Sequence, residues 1–324
     1  MRESYTIYDL PTTRRDGEIV SPSPKCSWSG VFPAATTQFS AELAVDLPAT
    51  RAVQAALVRD GVHGVVLLGT VGENNSLTAE EKRAVLTGAV EAIGGKVPLI
   101  AGVSELTTAA AVAYARDAER IGVDGLMVLP AMVYVPTPAE LEHHFRTVAL
   151  ATSLPIMLYN NPPAYRVNIE IATLERLAVH ANIVALKESA PDPRRFTDVL
   201  NALGERYVLF AGLDDCVFEG LTLGARGWVS GLTNAFPAES LALYAAIRAG
   251  ELERARRIYR WFMPLLHLDS DPDLVQSIKL AEAAMGRGSE RVRPPRLPLS
   301  GERRADVLAR VERARATRPL PAAS

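Results

Sequence analysis

The chain has 324 residues, a formal net charge of -2 and 22% charged side chains, so nothing in its electrostatics favours nucleic acid or an acidic membrane surface. That length suits one large α/β barrel or two medium domains, and 48% hydrophobic residues is ordinary for a folded chain with a sizeable core. Cys26 and Cys216 stand far apart and outside any CxxC pattern, which argues against a disulfide framework or a zinc site. The opening stretch, "MRESYTIYDLPTTRRDGEIVSPSPK", is polar and lacks the apolar run of a signal peptide, and no later run reaches membrane-spanning length. The expectation is a cytoplasmic protein with tails at 1–27 and 315–324.

From the N-terminus onward, short apolar runs alternate with longer amphipathic stretches. The runs are "GVFPAAT" (around 31–36), "GVVLLG" (64–69), "VPLIAGV" (97–103) and "GLMVLP" (125–130), followed by "LPIMLYN" (154–160), "IVALK" (183–187), "YVLFAG" (207–212) and "GWVSG" (227–231). They are Leu-rich and β-branched without polar alternation, the pattern of parallel strands buried on both faces. Between them lie helical stretches such as "TAEEKRAVLTGAVEAIGG", where Thr78 and Glu81 form a capping box and Gly94-Gly95 ends the helix, and "TTAAAVAYARDAERIG". A weak repeat, seen at Gly61–Gly64, Gly122–Gly125 and Gly224–Gly227, closes a helix and opens the next strand.

Eight such units predict an α/β fold, a (β/α)8 TIM barrel with its core at 28–236. A doubly wound open sheet fits less well, because no glycine-rich dinucleotide turn follows the first strand. From Pro237 the sequence is helical only, as "AESLALYAAIRAG", "ELERARRIYRWFMPLLHL", "DLVQSIKLAEAAMG" and a last helix near 301–314. These supply the eighth barrel helix and an appended C-terminal helical segment (237–314).

Barrel chemistry sits at the C-terminal ends of strands. Lys187 ends the sixth run, "IVALKES", directly after four apolar residues. Burial there lowers an amine's pKa, and a neutral amine can attack a ketone. The plainer alternative is a lysine that reaches the rim or pairs with Glu188. The other four lysines are poorer candidates: Lys25 in the tail, Lys82 on a polar helix face, Lys96 in a glycine turn and Lys279 in a late helix. Tyr159 ends the fifth run in "LYNNPPAY" and could relay protons beside Lys187, or fill a barrel layer. "GTVGENN" (69–75) follows the second run, and its glycines suit a turn whose N–H groups hold a carboxylate; it lacks the lysine and spacing of a nucleotide loop.

In that order, GT-x-GE, YN-x-P and LKE resemble the dihydrodipicolinate synthase / N-acetylneuraminate lyase family, and "FAGLDD" and "LGARGWVSGLTNAFP" resemble its seventh and eighth strand segments. The resemblance spans about 28–300. It implies that Lys187 forms a Schiff base with a 2-oxo acid, that Tyr159 shuttles protons and that Thr70 is its hydroxyl partner. It further implies a substrate carboxylate held around Gly69, Thr70 and Val71, a backbone carbonyl from Val229, and Gly212 and Tyr134 as further substrate-binding positions. A homotetramer and the absence of metal or organic cofactor are implied too.

The departures are specific. Val71 stands where a second hydroxyl residue is common. Ala164 stands where synthase members carry an arginine, with Arg166 two residues later. Thr37-Gln38 replaces the usual Thr-Pro. Tyr134 in "PAMVYVPTP" is the candidate for the synthase's interface tyrosine. The expectation is therefore a Schiff-base lyase acting on a 2-oxo or cyclic 2-imino acid. A dehydratase or deaminase of a 2-keto-3-deoxy sugar acid or hydroxypyrroline carboxylate leads, ahead of a pyruvate-dependent aldolase or dihydrodipicolinate synthase. A non-enzymatic 2-oxo acid sensor is the alternative of another class.

Overall fold

A computed structural model describes residues 26–131 and 134–319. Eight parallel strands stand in the order β1-β8-β7-β6-β5-β4-β3-β2. They are β1 (Gly30–Pro33), β2 (Val65–Leu67), β3 (Leu99–Val103), β4 (Gly125–Val128), β5 (Ile156–Asn160), β6 (Ile183–Glu188), β7 (Val208–Ala211) and β8 (Gly227–Ser230). β1 pairs with β8 through Gly30↔Gly227 to Pro33↔Ser230, and a parallel bridge, Ala34↔Val66, closes the ring on the β2 side. This is the expected (β/α)8 barrel. Each expected run holds one strand, and most strands are shorter than their runs because the apolar residues continue into buried turns.

The helices around the strands are α1 (Leu47–Arg59), α2 (Ala79–Ile93), α3 (Thr108–Ile121), α4 (Pro138–Leu150), α5 (Pro162–Tyr165), α6 (Ile171–Leu177), α7 (Arg194–Leu203), α8 (Val217–Thr222) and α9 (Pro237–Arg248). α2 begins with the expected capping box, Thr78 accepting from the Glu81 N–H while the Glu81 carboxylate accepts from the Thr78 N–H. The glycine repeat works as read. Gly122 ends α3 in the left-handed region at φ 95, where a side chain would be strained. At the strand end of the repeat, a Cβ on Gly227 would stand 2.1 Å from the Phe210 ring.

Three further helices, α10 (Leu252–Leu266), α11 (Leu274–Ala284) and α12 (Gly301–Ala316), form the appended segment. Ala255, Ile258, Tyr259, Phe262, Leu265 and Leu266 of α10 recur at helical spacing and are all buried. The turn leaving α10, His267–Asp269, carries the chain to the mouth of the barrel. α12 runs to Ala316, two residues into the stretch read as a tail. Residues 1–25 of the other tail, including Lys25, lie outside the described residues, as do 320–324. Among the described residues no helix is long and apolar enough to cross a membrane, and both cysteines are free.

Candidate active site

Lys187 lies near the C-terminal end of β6, paired in register with Tyr159 of β5. Successive residues of a strand point to opposite faces. Lys187 therefore lines a pocket within the barrel, while Glu188 points outward. There Glu188 pairs with Arg195 at 2.8 Å and accepts from Asn160 Nδ2 at 2.8 Å, so the Lys187–Glu188 pairing is not made. Lys187 is 6% exposed, and its Nζ lies 3.9 Å from the centroid of the Tyr159 ring. Burial pushes its pKa down, and the neighbouring Asp269 carboxylate, followed by Tyr165 and Asp214, opposes that.

Two other lysines prove to be buried, which the sequence reading did not anticipate. Lys82, assigned to a polar helix face, is 6% exposed and ion-paired to Glu105 at 2.5 Å. Lys279 is fully buried, with Glu73 and the Thr37 carbonyl each at 2.8 Å. Each is ion-paired to a carboxylate. Lys187 has none within 4.0 Å among the described residues. Pocket access and the missing counter-ion single it out.

The Tyr159 hydroxyl accepts from Asn161 Nδ2 at 2.8 Å, and burial pushes its pKa up to about 12. Thr70 also lines the pocket, but its hydroxyl meets the Tyr165 hydroxyl at 2.5 Å and has no bond to Tyr159. The expected Thr70–Tyr159 hydrogen bond is thus not made; Tyr165 takes the Thr70 hydroxyl instead. The short helix α5, capped by Asn161, turns Tyr165 back over the strand ends, and its ring meets that of Tyr159 edge to face, centroids 5.5 Å apart. Tyr165 was visible in "LYNNPPAY" but carried no signal of its own, because its partner is 95 residues away.

Gly69 and Val71 line the same wall. Among the described residues, neither the Thr70 nor the Val71 N–H donates to a backbone acceptor, which leaves both for an anion. Leu68 and Glu73 flank this turn in the left-handed region, at φ 54 and 55, an uncommon conformation for side-chain-bearing residues that concentrates near functional sites. Val229 and Gly212 line the pocket as expected. Tyr134 does not reach it: the side chain is 58% exposed beside residues 132–133, which lie outside the described residues. Ala164 is on the pocket wall, whereas Arg166 is exposed and absent from it.

The sequence reading missed Asn161, Asp269 and Leu274, all of which line the pocket. It also missed Asp214, whose buried carboxylate accepts from Trp228 Nε1 at 2.8 Å, Ser230 Oγ at 3.2 Å and the Leu232 N–H at 2.8 Å, tying the turn after β7 to β8. Among the described residues no group of three or more His, Cys, Asp or Glu is placed to hold a metal ion.

The model of the dihydrodipicolinate synthetase family matches residues 27–314. The chain belongs to that family. It is an enzyme of the family, a lyase, which sets aside the sensor alternative. The chain is 34% identical over 282 residues to 4-hydroxy-tetrahydrodipicolinate synthase of Moorella thermoacetica, covering 86% of this chain and 94% of that one. It is 38% identical over 281 residues to the synthase of Kineococcus radiotolerans, covering 86% and 91%. Dihydrodipicolinate synthase from Aquifex aeolicus superposes with a TM-score of 0.85 at 30% identity, over 89% of this chain and 98% of that one. YagE, a prophage protein of the family from E. coli K12 solved in complex with pyruvate, gives 0.84 at 27%, over 90% and 99%.

Proposed function

We propose that this family member forms a Schiff base between Lys187 and C2 of a 2-oxo acid, or the equivalent carbon of a cyclic 2-imino acid, and uses the imine as an electron sink. The reading rests on one observation: a buried amine without a carboxylate partner faces the pocket, 3.9 Å from the Tyr159 ring. The pyruvate in the YagE complex supports a 2-oxo acid as ligand. In the proposed reaction the N–H groups of Thr70 and Val71 hold the substrate carboxylate. The Lys187 amine attacks C2; from a 2-oxo acid water leaves as the imine forms, and from a cyclic 2-imino acid the ring nitrogen leaves C2 as the ring opens. A C3 proton is then removed to give the enamine, with Tyr159, joined by Tyr165 and Thr70, moving protons. The C4 hydroxyl then leaves as water, and hydrolysis of the imine frees the product and regenerates the Lys187 amine; with a hydroxypyrroline carboxylate the former ring nitrogen remains on C5 and is released as ammonia by hydrolysis there after the C4 hydroxyl has left.

A 2-keto-3-deoxy sugar acid or a hydroxypyrroline carboxylate fits this scheme. The names of the relatives favour a second reading, condensation of pyruvate with aspartate semialdehyde. Against it, Ala164 offers no guanidinium to a second carboxylate, and Arg166 is exposed and does not line the pocket. We propose a homo-oligomer, a tetramer by family resemblance, in which the exposed Tyr134 faces another copy.

Borohydride reduction in the presence of a panel of 2-oxo acids, read by intact mass and peptide mapping, tests the reading. The expected adduct is on Lys187 and is absent from Lys187→Ala. Labelling of Lys279 or Lys82 with Lys187 untouched would overturn it.

A further inference from the structure

The appended helical segment brings a carboxylate to the pocket. Asp269, in the turn that leaves α10, lines the same cavity as Lys187, Tyr159 and Ala164. Gly231, just past β8, makes room for it: a Cβ there would stand 2.4 Å from Asp269 Oδ1. Asp269 differs from neighbouring Asp214, whose oxygens are occupied by three donors. Among the described residues its one hydrogen bond is long, from the Asp214 N–H to Oδ2 at 3.4 Å. Among the described residues no basic side chain comes within 4.0 Å. The charged groups around it are Lys187 from β6 and Asp214 and Asp215 from the turn after β7. His267, on its own turn, is taken up by Asp215 at 3.0 Å. The carboxylate is a strong acceptor in a half-buried cavity, and among the described residues no donor bonds its Oδ1.

We propose that Asp269 binds the end of the substrate remote from the imine and selects a hydrogen-bond donor there, a hydroxyl or ammonium group, over a second carboxylate. This rests on the Schiff-base reading and goes beyond it. Two features act together on the remote group. Ala164 offers no cation, and Asp269 supplies an anion, so a dicarboxylate meets repulsion where a hydroxylated monocarboxylate meets an acceptor. Burial pushes the Asp269 pKa up while the positive charge of Lys187 draws it down, so the preference for a cationic or hydroxylated end strengthens as the pH rises and the carboxylate ionises.

The test measures the concentration dependence of borohydride trapping at Lys187 in the full chain and in Asp269→Asn, which keeps shape and removes charge. Three probes are used: pyruvate, a 4-hydroxylated 2-oxo acid and 2-oxoglutarate. Pyruvate has no remote polar group and reports on imine formation and fold. The expected result for Asp269→Asn is half-saturation by the hydroxylated acid weakened roughly tenfold or more relative to pyruvate, the scale of a charge-assisted hydrogen bond; the effect of the lost charge on the Lys187 amine is shared by all three probes and cancels in that ratio. Saturation by 2-oxoglutarate should improve. An unchanged ratio between the hydroxylated acid and 2-oxoglutarate would overturn the assignment while leaving the Schiff base intact. So would equal weakening of all three probes, which would place Asp269 in the positioning of Lys187. Absence of pyruvate trapping in the parent would instead overturn the Schiff-base reading, and this one with it.

Discussion

Gly212 follows β7 beside Lys187, and its missing side chain is what lets the lysine stem lie where it does. A Cβ built there would stand 2.8 Å from Lys187 Cε, 2.9 Å from Cγ and 2.1 Å from Ser189 Oγ. Ordinary van der Waals contact begins near 3.4 Å, so Gly212→Ala requires the stem to move by about 0.6 Å and Ser189 Oγ by about 1.3 Å. Ser189 Oγ is buried and has no hydrogen-bond partner among the described residues, so its rotation breaks no bond. The lysine amine also lies against the Tyr159 ring, 3.9 Å from its centroid. An overpacked methyl of this kind costs about 1–3 kcal/mol of stability. Its larger effect falls on chemistry, because misplacing a reacting atom by about 1 Å can cost roughly a hundredfold. The expected outcome for Gly212→Ala is a folded protein with a modestly lower Tm whose rate of borohydride trapping with pyruvate falls roughly tenfold to a hundredfold. Lys187→Ala serves as the zero. Trapping at the parental rate in a normally folded Gly212→Ala protein would refute the idea that the site depends on this lysine position.

Tyr159→Phe should keep the ring against the Lys187 amine and so keep the fold, yet lose about two or more decades of kcat in turnover assays, the usual scale of acid–base assistance. Thr70→Val should act in the same direction through Tyr165, whose hydroxyl it leaves without its 2.5 Å partner. Glu282 gives a stability prediction. Burial raises its folded-state pKa to about 7 from an ordinary 4.5, so the native state holds a proton that the unfolded chain has released. This contribution is full below the unfolded pKa and is lost as pH rises through the folded one, at most about 3 kcal/mol across that window. Denaturant unfolding of Glu282→Gln should therefore decline less than that of the parent between about pH 4.5 and 7; parallel curves would show that the carboxyl is ionised in the native protein.

The barrel was legible because strands buried on both faces must be continuously apolar, and eight such runs stand out against amphipathic helices. Their ends were not, since Leu68 and Leu129 are as buried in turns as their neighbours are in strands. Lys187 was legible for the same reason: an ammonium after "IVAL" is costly unless it has a use. Lys82 misled. Glu80, Glu81 and Arg83 around it read as a solvated face, but the helix turns the lysine alone toward Glu105.

Local sequence determined which apolar runs become strands, which glycines turn the chain, and hence that Lys187, Tyr159 and the 69–71 turn share one end of the barrel. Strand direction and period-2 alternation act over a few residues, so they can be read along the chain. Tertiary structure alone decided which hydroxyl meets which. Thr70 joins Tyr165, and Asn161 takes the bond at Tyr159, because helix α5 folds the chain back over the mouth. It also decided that Asp269, in an acidic "LDSDPD" stretch resembling any solvated turn, faces the pocket. That placement follows from the buried face of α10 packing onto the barrel and from the space left at Gly231, and both relations join residues distant in the chain.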